Sequence, residues 1–111
     1  VFFRKMPKSV LQSNWYYGSS FDLEHPEETV SGINVRRYVQ PYIDLDKAGF
    51  DQIPTSSNWS NDLNIGGTID FCRKNISRER LKGFMIAPWY FTLPDWQGKL
   101  LDAVDQIAVK K

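Results

Sequence analysis

Three tryptophans stand at matched places in this chain. Ser13-Asn14-Trp15 recurs as Ser57-Asn58-Trp59, and Ala87-Pro88-Trp89 takes the corresponding place in a third unit. Each Trp closes an apolar run and has amide or phenol neighbours: Asn14, Tyr16 and Tyr17 at the first, Asn58 at the second, Tyr90 at the third. An indole offers a broad apolar face and one N–H donor, while Asn amides and Tyr hydroxyls both donate and accept. Apolar faces with a few directed polar groups are the usual lining of a small-molecule site. Carbohydrate fits this combination, because a pyranose has C–H faces that stack on a ring and hydroxyls that need hydrogen bonds. The candidate substrate-binding residues are therefore Asn14, Trp15, Tyr16, Tyr17, Asn58, Trp59, Trp89 and Tyr90. Both Asn residues also have a plainer reading, since an Asn near a turn often satisfies local backbone.

Reaction chemistry is harder to find. Glycoside hydrolysis usually needs two carboxyl groups flanking the scissile bond, and none of the three Trp-ending runs carries Asp or Glu in line with its Trp. Asp22, Glu24, Glu27 and Glu28 share a polar loop that reads as solvated, and Asp95 sits where a helix begins, the place of a cap or first-turn acid. His25, the single histidine, lies in that loop beside Pro26 with no Ser or Cys nucleophile motif, so a surface role is expected. Cys72 is the single cysteine and reads as a small buried apolar residue on a helix. It excludes an intrachain disulfide and a multi-cysteine metal site. Gly66-Gly67 lacks the spacing of a phosphate loop or dinucleotide fingerprint. The sequence thus names no catalytic residue, and it assigns no metal and no cofactor.

The runs that carry the Trp residues read as strands. Residues 10–17 are β-branched and aromatic, preceded by Pro7 and ended by Gly18. Residues 50–59 form a weaker strand, because Pro54 cannot donate to a ladder. Residues 81–91 are the clearest, with the nearly unbroken apolar core of a parallel strand covered on both faces. Helices are expected between them: one starting near Pro41 and ending at Gly49, one over 65–75, and one opened by Pro94 and Asp95 with Leu100, Leu101, Val104, Ile107 and Ala108 at helical spacing. Alternating strands and helices predict an α/β fold of three βα units with parallel strands. In such folds ligands bind beyond the carboxyl ends of the strands, which is where the three Trp residues fall.

Composition limits the alternatives. The 111 residues fit one domain at most, spanning 1–111. With 14 Lys+Arg against 13 Asp+Glu and no charge block, nucleic-acid and anionic-membrane partners gain no support. The apolar runs are far too short to span a bilayer. No signal-peptide pattern opens the chain, and its start at Val1 suggests a processed protein or a piece of a longer one. The aromatic share is high at 14%, for which a rich core is the first explanation and a lined cleft the second.

Three segments together resemble a known pattern. Met6-Pro7-Lys8-Ser9-Val10-Leu11-Gln12-Ser13-Asn14-Trp15-Tyr16-Tyr17 resembles a late barrel strand of glycoside hydrolases of the family 20 β-hexosaminidase type and related barrels, where a Pro and a short apolar strand lead into a Trp and a Tyr. Leu45-Asp46-Lys47-Ala48-Gly49-Phe50-Asp51-Gln52-Ile53-Pro54 resembles the helix-to-strand junction that follows, and Lys82-Gly83-Phe84-Met85-Ile86-Ala87-Pro88-Trp89 resembles the last barrel strand. The resemblance covers roughly residues 6 to 92. It implies part of a (β/α)8 barrel that binds sugar at its mouth, with Trp15, Tyr16, Trp59 and Trp89 as pocket walls. In that family the catalytic acid belongs to an Asp-Glu pair on an earlier strand. This chain has no such dipeptide, so the resemblance places the catalytic carboxylates upstream of Val1. Asn14 stands where those proteins often carry an acidic residue.

Three of eight strands leave edges and apolar surface uncovered, so the isolated fragment is expected to self-associate. The functional expectation is a fragment of a carbohydrate-active glycoside hydrolase that supplies aromatic binding walls. Its rivals are a non-catalytic sugar-binding or regulatory α/β module and a protein-interaction domain whose aromatics serve an interface. The compartment stays open; a parent that degrades glycans implies a secreted or periplasmic one.

Overall fold

The computed structural model describes residues 2–27, 34–89 and 92–110. In chain order the elements are α1 (Phe2–Lys5), α2 (Val35–Lys47), β1 (Thr55–Ser56), α3 (Asn64–Asn75), β2 (Met85–Ile86), a 3-10 turn over Pro94–Trp96, and α4 (Gln97–Lys110). β1 and β2 pair in parallel, with Thr55 opposite Met85 and Ser56 opposite Ile86. Single parallel bridges join Gln12 to Gln52, Trp15 to Thr55 and Gln52 to Leu81. Three extended segments therefore run side by side in one direction, and the segment bearing β1 is the middle one. The protein is a small α/β fold in which helices alternate with parallel extended segments.

The regular ladder is short for a reason visible at Pro54. In a parallel strand the N–H and C=O of one residue point to the same neighbour. The amides of Ile53 and Thr55 donate to Gln12 and Asn14 in the first segment, while the carbonyls of Gln52, Pro54 and Ser56 accept from Lys82, Met85 and Ala87 in the third. Pro54 thus faces the third segment and lacks the donor due there. The third segment answers with a bulge. Two residues lie between Gln52 and Thr55, but three lie between their partners Leu81 and Met85. The extra residue falls around Gly83, whose φ of 155° lies in the region that favours glycine. A proline in a middle strand is tolerated because the facing strand skips that pairing.

α2 and α3 bury their apolar stripes on one face of these segments, whereas α4 contributes Ala103 and the half-buried Leu100 and Ile107 and leaves Leu101 and Val104, also expected on its apolar stripe, exposed. Val35, Val39 and Tyr42 of α2 pack with Cys72 of α3, Tyr16 and Ile76, joined by Leu81 and Phe84. Ile65 and Ile69 of α3 pack with Ala103 of α4, joined by Phe84, Ile86 and Ile107. Burying each such side chain contributes about 1.5–3 kcal/mol. The α2 stripe explains where that helix begins. It starts at Val35, six residues before the Pro41 start that sequence reading predicts, and Pro41 lies inside it. Asn34 caps the helix by accepting from the Arg36 N–H, and the i, i+4, i+7 spacing of Val35, Val39 and Tyr42 outweighs the one backbone bond that Pro41 forfeits. Gly49, with φ 89°, ends the turn after α2 as expected.

The other face is differently made. Alternation along a strand sends Ser13, Trp15, Thr55 and Met85 away from the helices. There the hydroxyls of Ser13 and Thr55 share a short hydrogen bond, and Met85 and Leu11 remain largely exposed.

Candidate functional site

The first segment ends in a Trp-Tyr-Tyr run, and the pleat divides it. Trp15 and Tyr17 project to one side and Tyr16 to the other. Tyr16 is buried in the core, its hydroxyl donates to the Ser20 carbonyl at 2.6 Å, and burial raises its phenol pKa above the ordinary value. Sequence reading puts Tyr16 on the pocket wall; the structure puts it under α2, because the helix stripe claims the even-numbered positions of this segment. Trp15 and Tyr17 stack at 6.3 Å between ring centroids with planes 29° apart. Trp89, from the end of the third segment, meets both: 5.7 Å from Trp15 at 58°, and 6.5 Å from Tyr17 at 69°. These rings reach across the end of the middle segment to make one aromatic platform.

Two properties set this platform apart from a core cluster. Trp15 and Trp89 keep 52% and 53% of their surface exposed, whereas the core rings Tyr42 and Phe50 keep none. Trp89 also adopts φ 59°, a left-handed conformation rare for a bulky residue and worth about 1–3 kcal/mol of strain. Rings in mutual contact leave no slot between them, so a ligand would lie on their outer faces. The Tyr17 hydroxyl is shielded from solvent and has no hydrogen-bond partner among the described residues.

The remaining candidates fall around this platform in different roles. Trp59 stands at the end of the middle segment, 55% exposed, its backbone N–H held by the Ser57 hydroxyl at 3.0 Å. Asn58 is buried and donates through its amide to the Lys99 carbonyl at 2.9 Å, tying the strand end to α4. Asn14 is half-buried and donates to the Tyr38 carbonyl at 3.2 Å, while its own carbonyl accepts from the Tyr42 hydroxyl. Both amides thus hold backbone in this structure, the local role open to Asn near turns. Tyr90 lies outside the described residues.

Sequence reading missed the residues that fix the mouth. Asn64, the first residue of α3, is completely buried. Its amide N–H groups donate to the Tyr16 carbonyl at 2.9 Å and the Gly18 carbonyl at 2.6 Å, and its oxygen accepts from the Ser57 N–H at 2.9 Å. Asn61 donates to the Tyr17 carbonyl at 3.1 Å and accepts from Leu63 N–H. The run 57–64 is visibly polar and turn-like, but nothing in it says which distant carbonyls it reaches.

The acidic loop has its own organisation. Asp22 accepts from the backbone N–H groups of Glu24 and His25 and pairs with the His25 ring at 3.0 Å. The His25 side-chain bond, followed by these backbone bonds, holds the Asp22 carboxyl below its ordinary pKa. These bonds close the loop as a turn, and the exposed side chains of Asp22, Glu24 and His25 bring carboxylate and ring atoms within 4.8 Å of one another, near enough to hold a cation. Cys72 is buried, and burial alone pushes its thiol up to about 12, so it is no nucleophile at neutral pH.

No protein-family model matches this chain. No curated protein and no solved structure matches it either. The functional reading therefore rests on the residues themselves.

Proposed function

We propose that this chain is the aromatic sugar-binding part of a carbohydrate-active α/β-barrel glycoside hydrolase, with the catalytic carboxylates supplied by another part of the protein. The observation that carries the reading is the platform of Trp15, Tyr17 and Trp89 at the carboxyl ends of parallel segments, with Trp89 held half-exposed in a left-handed backbone. Strain of this kind persists where the surroundings enforce it and gathers at ligand sites. Exposed, mutually braced indoles present what a sugar ring stacks on. The face of the segments that bears Ser13, Thr55 and Met85 supports a barrel, since parallel sheets are covered on both faces.

Titration of sugars against Trp fluorescence in the full-length protein tests the reading. A saturable response is expected. Trp15→Ala should weaken it by about thirtyfold, the scale of losing a central aromatic contact of about 2 kcal/mol. Trp89→Gly should weaken binding to a similar extent, yet leave stability unchanged or raised by about 1 kcal/mol, because glycine adopts this backbone freely. Absence of any response to sugars sinks the proposal, and binding without glycoside cleavage points to a non-catalytic module instead. On the barrel reading the isolated chain self-associates, with carbohydrate as its ligand; light scattering that finds a clean monomer at high concentration counts against that part.

A further inference from the structure

We infer that Asn64 is the positioning residue of the aromatic platform, the side chain that sets where Trp15 and Tyr17 stand relative to the middle segment. The inference rests on the proposed sugar site for its functional meaning, but its geometry is independent of it. Asn64 is fully buried, and its amide makes three hydrogen bonds to backbone at two different strand ends. Two of the bonds hold the Tyr16 and Gly18 carbonyls. Tyr16 lies between the two platform residues, so fixing its carbonyl fixes the backbone from which both rings leave. The third bond holds the Ser57 N–H, and Ser57 in turn holds the N–H of Trp59. One planar group thus locks the loop after the first segment to the loop after the middle one.

The neighbourhood permits this lock and little else. A Cβ at Gly18 would collide with the Tyr16 hydroxyl, so the chain folds back tightly over its own ring there. Asn is the side chain required, because the site needs two donors and one acceptor from a single short group. Asp supplies no donor and would set a carboxylate oxygen against two carbonyl oxygens. A buried group stripped of its partners forfeits the bonds and leaves the backbone partners unsatisfied.

Far-ultraviolet circular dichroism reads the arrangement directly, because indoles as close as Trp15 and Trp89 give an exciton couplet. In the full-length chain, Asn64→Ala should lose the couplet while the helical signal persists, and sugar affinity, measured with a panel of methyl glycosides, should fall about tenfold. Asn64→Asp, which keeps the acceptor for Ser57, should do the same and stands in if the alanine variant does not fold. Ile69→Val, a core change away from these bonds, serves as the control: it lowers the unfolding temperature but keeps both couplet and affinity. A couplet that survives in a folded Asn64→Ala or Asn64→Asp overturns the inference. If no glycoside binds the unsubstituted protein, the sugar reading fails, while the couplet still decides the role of Asn64.

Discussion

The two faces of the three parallel segments are closed by different means. On the helix side, α2, α3 and α4 lay down Val39, Tyr42, Ile65, Ile69 and Ala103, all buried, against buried Tyr16 and half-buried Phe84 and Ile86. On the other side, Ser13 and Thr55 meet through hydroxyls, and the rings of Trp15 and Trp89, about half exposed, roof the strand ends with the half-buried Tyr17. The first face is organised by area removed from water, and the second by directed bonds and a strained backbone. Burial is therefore concentrated on one side and exposed aromatic surface on the other, and substitutions should separate the two.

The largest effect is expected in the core. Ile69→Ala should cost about 3 kcal/mol by denaturant unfolding, from lost burial plus the cavity left behind, with the ring couplet unchanged; a cost below about 1 kcal/mol would mean that the helix side is looser than its burial indicates. Next comes alkaline pH. Burial raises the Cys72 thiol from 9.0 to about 12 and lifts the Tyr42 phenol above its ordinary 10.0. The unfolded chain sheds these protons first and so binds fewer than the folded chain. Stability should then fall as pH rises above 9.0, by up to about 1.4 kcal/mol per pH unit for each group. A stability profile flat to about pH 10.5 would contradict that burial. Gly83→Ala comes third, at about 1–2 kcal/mol, since φ 155° suits glycine alone and a Cβ there meets nothing that would clash. Equal stability of that variant in thermal unfolding would show that the bulge relaxes. Smallest is Trp15→Ala, expected to change stability by less than about 1 kcal/mol because the ring is half in water; a core-sized loss would erase the contrast between the faces.

The sequence makes some of this plain and hides the rest. The order of segments and helices follows from apolar runs separated by turn residues, and α3 falls within a residue of its expected 65–75 span. The strand-end location of the Trp residues follows from the same runs. The start of α2 is misread because Pro41 is a strong local signal for a first turn, whereas the Asn34 cap and the Val35, Val39, Tyr42 spacing are spread over a full helix. The face of Tyr16 is misread because three aromatics in a row carry no alternation; only the helix that packs on them decides which is buried. Asn64 is beyond reach altogether, since its partners lie 46 and 48 residues away in the chain.

Pro54 has one more implication. Because its nitrogen must look toward the bulged neighbour, the middle segment is keyed on both sides: Ile53 and Thr55 need the first segment's carbonyls, and the proline needs a partner that asks nothing of it. Moving the third segment's bulge away from the proline would set the proline against a carbonyl awaiting a donor. A stretch only a few residues long thereby acquires a unique alignment, enforced by a missing hydrogen where longer strands rely on many present ones.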